Sequence, residues 1–118
     1  MQSELRLMAP MQGAPRRAPD ALVRKLDSEG DAVAVAMRSA GAKIAFVAAS
    51  MGVSEATVSM WRSGKRRMRP VRVRQFCITT GTTLLQQYRD FQEALAEVSG
   101  ALDNRARIER MARMMEAA

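Results

Sequence analysis

Basic side chains are concentrated in one part of this 118-residue chain, whose net charge is +7. Eight lysines and arginines lie between Ala56 and Arg89, where there is no aspartate or glutamate. The remainder of the chain carries about as many acidic as basic residues. An acid-free basic stretch favours binding to a polyanion. The chemistry that these residues could perform is therefore the binding of phosphate groups.

Six of the basic residues are the candidate phosphate ligands. Lys43 comes at the start of a predicted helix, whose first backbone N–H groups are free to bind an anion. The others end the next predicted helix or lie in the loop after it. The expected phosphate contacts are Lys43, Arg62, Lys65, Arg66, Arg67 and Arg69. A basic loop that is only solvated is the alternative.

The composition gives little support to catalytic or metal chemistry. Histidine is absent and Cys77 is the single cysteine, which excludes zinc-finger spacing and histidine-activated nucleophiles. Gly64 and Lys65 lack the other residues of a phosphate-binding loop, and no cluster of carboxylates suggests a metal. We therefore expect no catalytic residue, no metal, no cofactor and no small-molecule ligand.

The apolar residues predict a protein without membrane contact. No apolar run approaches the length of a membrane span, and the N-terminus lacks the hydrophobic region of a signal peptide. We therefore expect a cytoplasmic protein.

Four residues within positions 44–63 have the types and spacing of a helix-turn-helix. Ala48 is small enough for two helices to cross closely, and Gly52 can adopt the positive φ that the turn needs. Val58 and Trp61 are the expected buried anchors of the second helix. The other apolar residues of the motif are Val47, Met51 and Val53. The opposite face of the second helix is left free to meet a nucleic-acid groove.

Capping residues and glycines predict an all-α domain of four to five helices over residues 20–81. Ser54 is a good N-cap, Pro70 suits a first helical turn, and a glycine follows most of the predicted helices. The segment 31–40 alternates like a strand, but its alanines and the need for a packing partner favour helix. The expected helices are a short one after Asp20 that Gly30 interrupts, then 31–40, 43–50, 54–63 and one from Pro70 to Gly81.

The two ends of the chain differ from this domain. Residues 1–19 contain three of the four prolines and predict a disordered N-terminal arm. Residues 82–118 predict amphipathic helices, with a break near Gly100 and a second apolar phase after Asp103. The apolar seam expected to form a dimer or tetramer surface comprises Leu84, Tyr88, Phe91, Leu95 and Val98. Alternatively, these helices complete the core of the single chain.

The segment VAASMGVSEATVSMWRSGKRR, residues 47–67, resembles the helix-turn-helix of Cro and lambda-repressor-type (XRE-like) regulators. The Ser-x-Trp-Arg ending is also similar to the lysogeny-establishment activators of lambdoid phages, which work as tetramers. The first resemblance implies a compact domain of four or five helices that binds operators as a dimer. It also implies that helix 54–63 enters the major groove.

The same alignment assigns the residues that face the groove. They are Ser54, Glu55, Ala56, Ser59, Met60 and Ser63. None of them is Arg, Lys, Asn or Gln, the residues that make two hydrogen bonds to guanine or adenine. Glu55 could accept a hydrogen bond from cytosine, or it could only complement the helix dipole. Ile44 departs from the glutamine that many relatives have at this position.

The sequence therefore predicts a sequence-specific transcriptional regulator, phage- or mobile-element-related, that binds a palindromic or repeated operator in double-stranded DNA. It would act as a homodimer or homotetramer and be associated with the nucleoid when bound. Repressor and activator are equally compatible with the residues. A DNA-packaging or architectural protein such as a small terminase subunit is an alternative, which a cyclic assembly would favour. An antitoxin that regulates its own synthesis is another, which a co-purifying small protein would favour.

Overall fold

A computed structural model describes residues 13–117 and shows six helices within them. They are α1 (Asp20–Lys25), α2 (Glu29–Ala40), α3 (Ile44–Met51), α4 (Glu55–Ser63), α5 (Pro70–Thr80) and α6 (Leu84–Ala117). Over this part of the chain there is no strand, apart from an isolated parallel bridge between Arg16 and Thr82. The predicted all-α class is confirmed.

Short-range signals in the sequence set most of the helix ends. The Ser54 hydroxyl accepts a hydrogen bond from the Thr57 amide at 3.1 Å and so caps α4. Pro70 occupies the first turn of α5. Gly52 ends α3 with φ 68°, a left-handed conformation in which a Cβ atom would be strained. The expected positive φ in this turn is confirmed.

The core lies where α2, α3 and α5 meet α4 and the start of α6. Ala48, Val58 and Trp61 are buried as expected, so α4 packs against α3 through its apolar side. Phe76 of α5 is fully buried among them. Met68, in the loop after α4, is also buried and holds that loop against the domain.

Gly30 was predicted to interrupt a helix, but it lies inside one. It is a buried residue in the first turn of α2. A Cβ atom built on it would lie 2.9 Å from the Gly64 nitrogen and 3.0 Å from the Arg62 carbonyl oxygen. Glycine is thus needed because the beginning of α2 touches the backbone at the end of α4.

The C-terminal region is one helix of 34 residues and does not break at Gly100. At 1.5 Å per residue α6 is about 51 Å long. A single glycine costs about 1 kcal/mol in a helix, and the surrounding alanine, leucine, glutamate and arginine residues are strong helix formers. The helix therefore continues through the predicted break.

The predicted oligomerisation seam belongs in part to the core of the single chain. Leu84 and Tyr88 are buried, and Phe91 is half-buried against the core. The prediction of an intersubunit role for Leu84 and Tyr88 was wrong, because the first turns of α6 pack on α2 and α5. Leu95 and Val98 remain 48% and 58% exposed.

The exposed part of α6 carries two apolar stripes. Leu95, Val98 and Leu102 continue the line of Phe91, whereas the second stripe comprises Ile108, Met111 and Met115. With 3.6 residues per turn, the second stripe lies roughly 140° around the helix axis from the first. The change in phase expected from the sequence thus occurs within an unbroken helix.

Most of the predicted N-terminal arm, residues 1–12, lies outside the described residues. Within its remainder, Arg16 bonds through its amide to the Gly81 carbonyl at 2.9 Å and accepts from the Thr83 amide at 2.9 Å. The Gln87 side chain donates to the Ala18 carbonyl and accepts from the Ala18 amide. Residues 16–18 are therefore part of the folded domain, and disorder was the wrong prediction for them.

The close approach at Gly30 gives a prediction about stability. Gly30→Ala should lower the free energy of unfolding by about 1–3 kcal/mol, because the added methyl group meets backbone atoms that cannot rotate away. Gly100→Ala is the matched control, since a Cβ there meets nothing within 4 Å. Thermal unfolding followed by circular dichroism should show a lower Tm for the first variant and an equal or higher Tm for the second. Equal Tm values for Gly30→Ala and the unmodified chain would contradict the close contact.

Candidate nucleic-acid interface

The exposed residues of α4 form one strip along the helix. Glu55, Ser59 and Arg62 are exposed and recur at steps of four and three, which places them on one side. Ala56 and Ser63 are exposed beside them. Four of the six predicted groove-facing residues thus lie together, and Arg62, predicted only as a phosphate ligand, lies among them.

Three predicted base contacts are less available than the sequence suggested. The Ser54 hydroxyl caps α4, as described above. The Ser63 hydroxyl donates to the Met60 carbonyl at 3.2 Å. Met60 itself is half-buried. The side chains that project most openly from the strip are therefore Glu55, Ser59 and Arg62.

A basic groove lies beside one end of α4. This groove of about 810 Å³ has a mostly apolar floor from α2 and α3, and Arg38, Lys43 and Arg62 lie along it. Lys43 is the N-cap of α3; within residues 13–117 its side chain makes no capping hydrogen bond, and the first turn of α3 has no acidic residue. The start of α3 is thus suited to an anion. Arg38 was not among the predicted phosphate ligands, although it is a basic residue in the last turn of α2, the helix that precedes α3.

A second basic depression, the arginine cleft, lies on another side of α4. It has a volume of about 430 Å³ and is lined by Val53, Thr57, Trp61, Arg66, Arg67, Arg69 and Arg72. Among the described residues, no carboxylate lines it. Arg69 is the N-cap of α5, whose first turn also lacks an acidic residue in the described part of the chain. Three predicted phosphate ligands converge here, while Lys65, also predicted, is exposed nearby in the same loop.

Arg72 belongs to the cleft although the sequence did not single it out. Its Nη1 atom donates to the Met51 carbonyl at 3.0 Å and to Gln75 Oε1 at 3.0 Å. The side chain therefore links α5 to the last residue of α3. Only the packing of α5 against α3 reveals this role.

The loop that carries the arginines is anchored by Glu29 of α2. The Glu29 carboxylate accepts two hydrogen bonds of 2.9 Å from Arg89 of α6 and a third, of 3.1 Å, from the Met68 amide. Arg89 also donates to the Met68 carbonyl. Arg67 is a weaker neighbour, with Nε 4.0 Å from Glu29 Oε1. Arg89, counted in the basic stretch, is thus engaged inside the domain.

The described residues hold no group of three or more His, Cys, Asp or Glu side chains that could hold a metal ion. Burial raises the pKa of the Cys77 thiol, which lowers its thiolate fraction at neutral pH. Burial, followed by the nearby carboxylates of Glu29, Asp31 and Asp27, raises the pKa of Tyr88. No single helix in residues 13–117 is both long and apolar enough to cross a membrane.

Comparison with known proteins found no matching protein-family model, no matching curated protein and no matching solved structure.

The anchoring role of Glu29 can be tested by removing its charge alone. Glu29→Gln keeps an acceptor for the Met68 amide but leaves Arg89, whose side chain is 10% exposed, without its counter-charge. We expect a loss of about 2–3 kcal/mol in the free energy of unfolding, because Arg89 is left as an uncompensated, largely buried charge. The loss is smaller than for a fully buried pair, since both side chains keep some contact with water. Asp27→Asn removes the same charge from an exposed position two residues away and should change stability by less than about 0.5 kcal/mol. Similar urea midpoints for the two variants would show that the ion pair contributes little to the free energy of unfolding.

Proposed function

We propose that the chain is a sequence-specific double-stranded DNA-binding transcriptional regulator in which α3 and α4 act as a helix-turn-helix. The observation that carries this proposal is the position of the exposed strip of α4. The helix borders two basic depressions that, within residues 13–117, have no acidic residue in their lining. Each is lined by the N-cap residue of a helix, Lys43 or Arg69, whose side chain makes no capping hydrogen bond in this part of the chain. Basic side chains near an inserted helix favour binding in the major groove, because phosphates flank the bases there and can be contacted by residues around the helix.

The strip offers a specific chemistry for reading bases. Glu55 can accept from a cytosine amino group, the Ser59 hydroxyl can donate or accept, and Ala56 can contact a thymine methyl group. Arg62 adds the strongest contact available, two hydrogen bonds to guanine, which is worth about 1–3 kcal/mol of discrimination. Arg62 also lines the basic groove beside α4, so it could contact a phosphate instead. These two roles have different consequences for specificity.

Selection from a random duplex pool tests the function and the role of Arg62 together. The full chain should enrich one motif, and a regulator that binds as a dimer should show two half-sites about 34 Å apart. Arg62→Gln should relax the preference at one guanine, whereas a phosphate role would weaken all sequences equally.

Arg74→Gln is the matched control. Arg74 is an exposed arginine of α5 that lines neither depression, so this variant should enrich the unchanged motif. If the unmodified chain enriched no motif above the starting pool, the proposed regulator would be excluded.

We also propose that the projecting part of α6 forms the dimer or tetramer contact. Leu95, Val98 and Leu102 are about half exposed or more, which is unusual for a line of three large apolar side chains. Two copies joined there would present two α4 helices to one operator, and linked contacts raise affinity without any new base contact. The phage or mobile-element setting and the palindromic operator come from the sequence resemblance, and the cytoplasmic location comes from the pattern of apolar residues; all three belong to the same proposal.

A charge placed on the first stripe should separate the subunits. Leu95→Asp should reduce the mass measured by light scattering to that of the monomer, because an unpaired carboxylate cannot be buried in an apolar contact. Ala96→Asp adds the same charge at a neighbouring exposed position about a third of a turn from the stripe and should leave the mass unchanged. If the unmodified chain were already monomeric, the contact would not exist, and a ring of many subunits would favour a DNA-packaging protein.

A further inference from the structure

We infer that the arginine cleft is a specific site for one phosphate or pyrophosphate group, supplied by a DNA backbone or by a free phosphorylated small molecule. This goes beyond a diffuse attraction between a basic surface and a polyanion. The DNA source rests on the proposed function, whereas the free source does not. The same guanidinium chemistry serves both.

The shape of the cleft distinguishes it from the rest of the basic surface. Arg66, Arg67 and Arg69 come from the loop and Arg72 from α5, and all four border one concavity of about 430 Å³. Pyrophosphate fits within this volume. Guanidinium groups match phosphate oxygens with two parallel hydrogen bonds, which lysine cannot provide. The start of α5 adds the positive end of a helix dipole.

Part of the site is already in position before an anion arrives. Arg72 Nη1 donates to both Met51 and Gln75, so the guanidinium is held in place. Among residues 13–117 its Nε and Nη2 atoms, with three hydrogens, have no hydrogen-bond acceptor and can donate to an anion. Arg67 is less constrained, since its Nε lies 4.0 Å from Glu29 Oε1 and its side chain is 78% exposed. A held side chain loses less conformational entropy on binding than a mobile one.

Four like charges around one concavity also repel each other when no anion is present. The repulsion is moderate because Arg66, Arg67 and Arg69 are exposed to water. Removing one of them should therefore raise Tm slightly or leave it unchanged, while it weakens phosphate binding. A residue with only a structural role would lower Tm instead. The two readouts together separate ligand binding from folding.

Trp61 provides the measurement, because it is the single tryptophan of the chain and lines the cleft. The full chain is titrated with pyrophosphate at constant ionic strength while Trp61 fluorescence is recorded. We expect a saturable one-site change. The double variant Arg66→Gln, Arg69→Gln should raise Kd at least tenfold without lowering Tm. Arg74→Gln, which removes an exposed arginine outside the cleft, should change Kd less than twofold.

The source of the phosphate is distinguished in a second arm with the duplex that the selection enriches. If the cleft holds a backbone phosphate, saturating pyrophosphate and the double variant should each weaken duplex binding about tenfold. If it holds a free anion instead, the double variant should bind the duplex as well as the unmodified chain. Either result supports a phosphate site.

Three results would overturn the inference. The fluorescence change could fail to saturate, sodium chloride could reproduce it, or Arg74→Gln could lose as much affinity as the double variant. None of these depends on DNA binding. Conversely, if no DNA motif were enriched while pyrophosphate still saturated the cleft, the proposed function would fail and the phosphate site would stand.

Discussion

The ion pair between Glu29 and Arg89 is the interaction on which the arrangement of the basic surface depends. It joins the first turn of α2 to the second turn of α6, and both partners also bond to the backbone of Met68 between α4 and α5. One carboxylate thus fixes two helices and a loop that are distant in sequence. The loop arginines keep a defined position because their neighbour Met68 is held from both sides. Without this link, a loop of consecutive like charges would be expected to spread into solvent.

Much of the fold follows from signals that act over a few residues. Ser54, Gly52 and Pro70 mark helix ends because capping, left-handed backbone and the fixed proline φ are local properties. The burial of Val58 and Trp61 follows from helical periodicity. Contacts between distant segments were not predictable in this way. The bonds of Arg16 and Ala18 to the start of α6, and the contact of Gly30 with the end of α4, depend on how whole elements pack.

The candidate interface was predictable in its residues but only partly in its arrangement. The exposed strip of α4 contains four of the six groove-facing residues expected from the sequence, because the opposite face of that helix is occupied by Val58 and Trp61. The four are Glu55, Ala56, Ser59 and Ser63. The sequence could not show that Ser54 and Ser63 use their hydroxyl groups within the helix, or that Arg62 shares the strip with Ser59. Arg72 was missed for the same reason as Arg89. A charged residue in a basic stretch reveals neither its acceptor nor the cavity that it borders.

The continuity of α6 has a mechanical consequence. The helix leaves the core after Phe91 and runs without a break to Ala117, so it forms a stiff rod with the folded domain at one end. A rotation of a few degrees imposed near Met111 displaces the basic surface by several ångströms, because the displacement grows with the distance from the point of rotation. The two apolar stripes lie at different distances from the domain and face different directions around the helix axis. In the proposed oligomer, the geometry of the contact at the far end of α6 would therefore set the direction in which each α4 faces.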